Sequence, residues 1–504
     1  MASPANAVAP PAAARAFDFR SLWLVLLFAF IGAASFQGSR GLYESTEGRY
    51  AETARETMLS GDYDDPILNL QPHWTKPPLT YVAIIYGLRL FGENPWGVRA
   101  YLVFALVLAA GAVWLAGSSI WGSGAGRWAG IIFATSPFIA LAAHSVTTDM
   151  LVALWTAGAL AAFWHGYASH CRLSLLGMWL FLALGLLTKG PPALLVPAVC
   201  LPVAWIHLRR ANDWRPGRWN LGLGLSIFIL LGLGWYFVEA RLNPGLTSYW
   251  LGKEMIARNF TSEMHRNPNA WFVFFVYLPI LVAGTGPWLP LALFRARPLK
   301  AWLAASDQRR TWNRAARRSL LAGVAVPFVL FSISQSRLAL YLVPLFVPLC
   351  LLLGRMIDVL IAQGRLRARV AGGCAGVLLA GIVIAKSATL FITSSQDMTR
   401  LSAILAPVLA RHEEHALCSI SNQRLNGLEF HLRRPIEAVD PDAIWDHMKA
   451  TALGGRPTDY LVKNARWARL ATNAPARVHA EPVGPHWLLV APEPAAWREK
   501  FKTP

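Results

Sequence analysis

The residues best suited to chemistry in this chain are carboxylates between Gly38 and Pro78. This first loop holds seven Asp and Glu against four Lys and Arg, whereas the whole chain has a formal net charge of +19. Glu47 lies just before a predicted helix over 49–59 that ends at Gly61, where a carboxylate gains from free N–H groups and the helix dipole. Capping explains such an acid, but the local excess of acid favours a catalytic role on an acceptor.

Asp149 is the second candidate acid, because it opens an apolar stretch. An N-cap role explains it equally well, whereas an ionisable group at a membrane boundary inside a helix bundle is a default site candidate. Two carboxylates on one face could divide the work, one activating an acceptor and the other orienting a donor. The other acids of the first loop are interpreted as surface or ion-paired residues: Glu44, Glu56, and Glu52 with Arg55 three positions on.

Four cations stand in short polar segments between apolar stretches: Lys76, Lys189, Arg258 and Arg337. Arg258 follows Glu254 by one helical turn. A snorkelling anchor explains any one of them. All four together favour an anionic lipid phosphate, which Lys binds as a point charge and Arg as a bidentate fork.

Metal binding is not predicted from the histidines. His73 and His265 are the two histidines considered near the site, and neither has a second ligand at a suitable spacing. A divalent cation is therefore not predicted, although it stays an open alternative. The five cysteines show no disulfide framework and no metal-type spacing.

Composition predicts an integral membrane protein. The 504 residues are 55% hydrophobic and 15% charged, which a soluble core could not absorb. A span needs about 17–25 residues, and Leu79 to Phe91 is shorter and carries Arg89, which favours an interfacial or re-entrant helix. We expect about eleven spans, near 20–37, 99–118, 127–146, 150–168, 173–187, 191–207, 220–238, 271–294, 319–334, 338–354 and 370–393.

The distribution of Lys and Arg predicts the orientation, because cytoplasmic loops carry the basic residues. With a disordered cytoplasmic tail over 1–16, alternate loops are Arg-rich, and the first loop and the segments around Asp149, Lys189 and Arg337 fall on the periplasmic face. The basic balance therefore reflects orientation and anionic lipid, and nucleic-acid binding is not expected.

The chain is expected to divide into a membrane domain over 17–393, with the catalytic first loop 38–78, and a periplasmic α/β domain over 394–504. Short β-like runs alternate with helix-like segments in the second of these. The predicted strands are 416–420, 436–439, 459–463 and 486–490, and the predicted helices are 401–412, 442–449 and 464–472.

Several motifs resemble one family. They are Tyr43 to Asp62 (YESTEGRYAETARETMLSGD), Thr75-Lys76-Pro77-Pro78-Leu79, Thr148-Asp149, Leu187-Thr188-Lys189-Gly190-Pro191, and Phe331 to Arg337 followed by Tyr341-Leu342-Val343-Pro344. In this order, over residues 20 to 354, the chain resembles the bacterial aminoarabinose transferases and dolichyl-phosphate-mannose protein mannosyltransferases. These are polytopic glycosyltransferases of the GT-C type.

The resemblance implies an all-α polytopic membrane bundle of the GT-C type, with periplasmic interfacial helices and a small C-terminal α/β domain. It implies inverting transfer of a sugar from a polyprenyl-phosphate carrier to a lipid or glycan acceptor at the periplasmic face of the bacterial inner membrane. Glu47 and Asp149 would be catalytic, and Lys76, Lys189, Arg258 and Arg337 would hold the carrier phosphate. Supporting roles fall to Arg49, Tyr50, His73, Glu254 and Tyr341.

The chain departs from the family pattern at three places. Thr46 replaces the Asp that precedes Glu in the first-loop signature, so either Glu47 takes its role or the activity is altered. Thr75 replaces a Glu before Lys-Pro-Pro, and Gln335 and Arg337 replace the Lys residues of a later loop.

Three alternatives stay open. One is a protein O-glycosyltransferase of the same fold. The second is a lipid or solute transporter, although the sequence has no internal repeat and its charges cluster at one face. The third is a membrane scaffold, which would leave the acidic first loop unexplained.

Overall fold

The computed structural model describes residues 18–209, 217–257, 261, 267, 269–295, 310–412 and 414–501. The predicted tail over 1–16, Arg258 and His265 lie outside the described residues. The chain forms two compact units. The first takes in residues up to Gln37, Trp74–Ala83 and Arg99–Ser387, and the second takes in Gly38–His73, Ile84–Val98 and the chain from Ala388 onward.

The first unit is helical, and each apolar stretch predicted as a span coincides with helical structure. Phe228–Leu233, Tyr249–Ala257 and Val273–Tyr277 are π-helical, and Pro191–Leu194 and Ala339–Leu345 are 3-10 helices. The α-helices are Phe19–Ala34, Ser123–Thr135, Pro137–Ala142, Asp149–Ser169, Arg172–Lys189, Leu195–Arg209, Arg218–Ile227, Gly234–Leu242, Leu246–Ser248, Leu278–Ala283, Trp288–Arg295, Arg310–Ile333, Phe346–Ala362 and Ala368–Ala388, while Leu79–Phe91 and Pro95–Trp121 have residues in both units.

A helical, multi-pass membrane fold is therefore confirmed. Among the described residues, seven helices are long and apolar enough to cross a membrane. An eighth crossing results if Val273–Ala283 and Trp288–Phe294, which are bent by 77° at a short break, form one span. The predicted number of about eleven spans, and the orientation that follows from it, stay predictions.

The helix Asp149–Ser169 is the most enclosed of the long helices, because nearly all of its residues are buried. Its small residues, such as Ala157, Gly158 and Ala161, let neighbouring helices approach closely, as is usual inside membranes. It packs along Arg172–Lys189. Only two residues join these helices, so they run antiparallel and the start of one lies beside the end of the other.

The strands are β1 (Ile67–Leu68), β2 (Gln71–Pro72), β3 (Ala416–Ile420), β4 (Glu437–Val439), β5 (Thr458–Lys463), β6 (Val478–Val483) and β7 (Trp487–Pro492). The last five form a mixed sheet in the C-terminal part of the second unit, in the order β4-β3-β5-β7-β6. β3 pairs in parallel with β4 and β5, while β7 pairs antiparallel with β5 and β6. The predicted α/β alternation is confirmed, although β6 and the helices Asn426–Leu432 and Pro494–Phe501 were not predicted. The helices of this part are Met398–Leu409, Asn426–Leu432, Ile444–Leu453, Asn464–Leu470 and Pro494–Phe501.

Most of the first loop belongs to this second unit. Its helix, Thr46–Ser60, begins three residues before the predicted start and ends as expected at Gly61, which has a φ of 76°. Backbone hydrogen bonds tie the loop to the chain before the C-terminal sheet, with Glu44 N–H donating to Gln396 O at 3.1 Å and Met398 N–H to Leu42 O at 3.0 Å.

The loop helix also touches the helix Asn426–Leu432 at two glycines. A Cβ on Gly48 would lie 2.4 Å from the backbone nitrogen of Gly427. No side chain fits there without moving backbone against backbone, so this crossing requires glycine.

Candidate functional site

In the first unit, Asp149, Lys189 and Tyr341 lie together. Lys189 Nζ donates to a carboxylate oxygen of Asp149, and the same ammonium lies 4.5 Å from the centroid of the Tyr341 ring. Asp149 is buried, with 5% of the residue exposed. The three residues come from three motifs that the sequence singled out, and they form one charged cluster.

The helix ends explain this pairing. Asp149 is the first residue of one helix and Lys189 is the last residue of its antiparallel neighbour. The dipole favours an acid at a helix start and a base at a helix end, so each charge is stabilised by its own helix as well as by its partner. Trp155 Nε1 donates to Thr188 Oγ1 at 2.8 Å, which fixes the two helices in register next to the pair.

Lys76 forms a second ion pair in the first unit. Its Nζ lies 3.2 Å from Glu254 Oε2 and also donates to Thr75 O at 2.7 Å. The indole of Trp250 donates to Trp74 O at 3.0 Å, so two contacts join the Lys76 motif to the π-helical segment Tyr249–Ala257. Lys76 and Lys189 thus each have a carboxylate that orients the ammonium.

Arg337 is held differently. Its guanidinium is almost fully buried, with the residue 4% exposed, and donates to Ser332 O at 2.9 and 3.0 Å and to Asn267 O at 3.1 Å. Asn267 Nδ2 returns a bond to Arg337 O at 3.0 Å. These carbonyls fix the side chain in place, which is consistent with a structural role for this cation as well as with a binding one.

In the second unit, Glu47 is paired with Arg40. The guanidinium forms a two-pronged bond to the carboxylate, at 2.5 Å to Oε2 and 2.8 Å to Oε1. Tyr43 N–H donates to Oε2 at 3.2 Å, and its ring lies 4.5 Å from the Arg40 guanidinium carbon. With both oxygens engaged, the carboxylate is held in one orientation, which suits positioning better than proton abstraction.

Glu44 differs from the expectation of a surface or ion-paired acid. One of its oxygens accepts the backbone N–H of Gly427, and Oε2 is buried without a hydrogen-bond partner among the described residues. Burial raises the pKa of the Glu44 carboxyl to about 7, although the Gly427 N–H opposes that shift. A carboxyl with such a pKa exchanges protons near neutral pH.

The predicted ion pair of Glu52 with Arg55 is confirmed, with 2.6 Å between Oε1 and Nη2. Burial nevertheless raises the pKa of Glu52 above its ordinary value, against the lowering effect of Arg55.

The predicted site residues thus fall into separate groups. Lys76, Glu254, Asp149, Lys189, Arg337 and Tyr341 lie in the first unit, and Glu47, Arg49, Tyr50 and His73 in the second. His73 is at the end of the β1–β2 hairpin, where its N–H donates to Pro66 O at 2.6 Å. Neither of the two groups of three possible metal ligands among the described residues includes any of these side chains.

Sequence reasoning missed two partners. Arg40 lies seven residues before Glu47, a separation that no regular helix or strand pairing predicts. The carboxylate of Glu254 was associated with Arg258, whereas the structure places it on Lys76, 178 residues away along the chain.

A family model places part of this chain. Residues 75–236 match the model described as "Dolichyl-phosphate-mannose-protein mannosyltransferase". This segment contains Lys76, Asp149 and Lys189.

Two curated relatives carry the name undecaprenyl phosphate-alpha-4-amino-4-deoxy-L-arabinose arabinosyl transferase. The protein from Erwinia tasmaniensis is 32% identical over 326 residues, which are 62% of this chain and 55% of the relative. That from Edwardsiella ictaluri is 30% identical over 354 residues, 69% of this chain and 61% of the relative. The match therefore spans less than two thirds of the length of these relatives.

Solved structures show the same fold. The structure of ArnT from Cupriavidus metallidurans bound to undecaprenyl phosphate superposes with a TM-score of 0.71 at 21% identity, covering 94% of this chain and 97% of that one. The oligosaccharyltransferase of Archaeoglobus fulgidus superposes with a TM-score of 0.51 at 13% identity, covering 92% and 70%. The family model thus matches residues 75–236, and the chain has the membrane fold seen in ArnT.

Proposed function

We propose that this protein is a membrane glycosyltransferase that moves a sugar from a polyprenyl-phosphate carrier to an acceptor at the periplasmic face of the bacterial inner membrane. The acceptor is a lipid of the lipid A type or another envelope glycan or lipid. Transfer inverts the anomeric carbon: the acceptor oxygen bonds to that carbon while the bond to the carrier phosphate breaks. The polyprenyl phosphate leaves, and any proton on the acceptor oxygen is lost.

The observation that carries this proposal is the Asp149–Lys189 ion pair, which lies beside Tyr341. Both charged residues belong to the segment that the family model matches. A buried ammonium at a helix end is costly unless a counter-charge accompanies it, and Asp149 provides that charge. When an anionic phosphate binds, the Lys189 ammonium can donate hydrogen bonds both to Asp149 and to the phosphate. The pair therefore keeps a cation ready at a position where a lone lysine would be disfavoured.

Lys76 supports the same role by the same device, because Glu254 orients its ammonium. We propose that Lys76, Lys189, Arg258 and Arg337 hold the carrier phosphate and stabilise the charge that develops as it leaves. Preorganised donors of this kind account for much of the rate acceleration in many enzymes. The relatives named for an undecaprenyl phosphate sugar, and the neighbour bound to undecaprenyl phosphate, support a carrier of this class.

Glu47 is proposed to act on the acceptor, with Asp149 in support. Because Arg40 holds both Glu47 oxygens, the carboxylate would orient the acceptor through a fixed geometry. If the acceptor is a phosphate it is already ionised, and no base is needed. If it is a hydroxyl, a nearby base must take its proton.

The test of the carrier site uses the full chain in nanodiscs and undecaprenyl phosphate as the probe. Lys189→Gln is expected to weaken binding by roughly 10–100-fold, because a charge-assisted hydrogen bond contributes about 1.5–3 kcal/mol. Lys76→Gln is expected to weaken it similarly. Lys253→Gln is the matched control, because this lysine is exposed and adjacent to Glu254.

Binding that is unchanged in both variants, or weakened equally in the control, would refute the carrier site. Turnover is measured separately with labelled polyprenyl-phosphate sugars, and Glu47→Gln is expected to bind undecaprenyl phosphate normally while losing transfer. Mass spectrometry of envelope lipids from a deletion strain then identifies the sugar and the acceptor.

A further inference from the structure

A cluster of two histidines and an aspartate lies in the C-terminal part of the second unit, and no role proposed above uses it. His412 and His415 precede β3, and Asp459 is the second residue of β5. β3 and β5 pair in parallel, with Leu417 opposite Asp459, and Ala416 N–H donates to Pro457 O at 2.9 Å. The strand register therefore places both imidazoles beside the Asp459 carboxylate.

The two distances to the carboxylate oxygen are compatible with three ligands around one ion, and all three ligand atoms lie within 4.8 Å of one another. Asp459 Oδ2 lies 3.0 Å from His412 Nδ1 and 3.2 Å from His415 Nδ1. Around a tetrahedral zinc ion with bonds of about 2.0–2.1 Å, neighbouring ligand atoms are about 3.3 Å apart. The carboxylate belongs to a residue that is only 1% exposed, whereas the two histidine side chains are 37% and 33% exposed.

Of the two imidazoles, only that of His412 makes a directed hydrogen bond to the Asp459 carboxylate. His412 Nδ1 bonds to the carboxylate in good geometry. His415 Nδ1 is buried and makes no hydrogen bond with any described residue, although the carboxylate oxygen is within ion-pair distance. A nitrogen that faces a carboxylate oxygen without a directed bond is what two ligands of a shared ion would show.

We propose that His412, His415 and Asp459 bind a divalent transition-metal ion of the Zn²⁺ class. Two imidazole nitrogens and one carboxylate oxygen suit zinc, nickel or copper, whereas calcium and magnesium prefer oxygen ligands alone. The partial exposure of both histidines leaves the fourth position to water or an added ligand. The ion joins the segment that leads into β3 to the start of β5, and this site is independent of the proposed transferase activity.

A second trio in the same sheet region, Cys418, Glu437 and His447, also has its ligand atoms within 4.8 Å of one another. It fits a metal less well. Burial raises the pKa of the Cys418 thiol to about 11, which disfavours the thiolate that a metal needs.

The experiment uses the full chain, purified in detergent with an affinity tag that contains no histidine, stripped with chelator and titrated with Zn²⁺. We expect one tightly bound ion per chain by elemental analysis, and a higher melting temperature with zinc. His415→Gln and His412→Gln should each weaken zinc binding by more than about tenfold, since even partners of metal ligands contribute 10–100-fold. His447→Gln is the matched control and should bind as the parent does.

Cobalt replaces zinc as a spectroscopic probe, since a thiolate ligand would add a charge-transfer band that nitrogen and oxygen ligands do not produce. The proposal is overturned if the stripped parent chain binds no zinc tightly. It is equally overturned if the double variant of His412 and His415 binds like the parent, or if Cys418→Ser alone abolishes binding. Melting of the metal-free variants beside the metal-free parent separates lost binding from lost folding.

Discussion

The ion pair of Asp149 with Lys189 makes a quantitative prediction. Both side chains are largely buried, at 7% and 14% exposed, and each is the direct partner of the other. Asp149→Asn leaves the lysine charge uncompensated, and Lys189→Met does the same to the aspartate. Removing one partner of a buried pair typically costs about 3–5 kcal/mol.

The double variant should be far less damaged than the sum of the singles. Asn and Met together leave no net charge to desolvate, and replacing a buried pair by uncharged residues is often close to neutral. We therefore expect a coupling free energy of at least about 2 kcal/mol from the four proteins of the cycle. The measurement is the free energy of unfolding in mixed detergent micelles, followed by helix content.

Transfer activity adds a second reading of the same four proteins. If the pair serves the carrier phosphate, the double variant should be folded and yet have lost most of its transfer activity. Single variants whose costs simply add, within about 0.5 kcal/mol, would refute the buried pairing. A stable double variant with the activity of the parent would refute the functional role and leave a structural one.

The other predictions concern packing, pH and a buried lysine. Gly48→Ala should destabilise the protein by about 1–3 kcal/mol, because its Cβ would meet the backbone of Gly427, and Gly222→Ala, in open space, is the melting-temperature control. Glu44 has its folded pKa raised from 4.5 to about 7, so its proton is lost from the unfolded state first. Its contribution to stability therefore falls as pH rises between these values, by on the order of 3 kcal/mol, and Glu44→Gln should flatten that slope in melts across pH 4 to 8. Lys386→Met should cost at least about 2 kcal/mol, measured by unfolding, because three hydrogen bonds from Nζ to buried oxygens would be lost.

Much of the fold follows from local sequence. Each stretch of high hydropathy became helical, because apolar side chains must face lipid or other helices while the backbone bonds to itself. The strands β3, β5 and β7 were recognisable from short β-branched and apolar runs. β6 was not, because it is an edge strand with an exposed, polar pattern and a proline.

The candidate site was predicted less completely. The sequence pointed to Asp149, Lys189 and Lys76 as residues of interest, because charged groups beside apolar stretches stand out. The partners of the charged residues could not be predicted, because they are distant in sequence. The Asp149–Lys189 bond spans 40 residues, and the bond from Gly427 N–H to Glu44 spans 383. Glu44 was expected to be a surface or ion-paired residue, since no feature of the neighbouring sequence indicates a buried carboxyl.

The sequence by itself determined which segments are apolar and helical, where the acid and the unusual cations lie, and that the C-terminal part is an α/β structure. These properties follow from the composition and periodicity of a few neighbouring residues. Only the tertiary structure decided which charged residues form ion pairs, which carboxyl is buried, and that His412, His415 and Asp459 come together at one end of a sheet. Such pairings depend on how distant helices and strands pack, and the free energy of that packing cannot be derived from any short stretch of the chain.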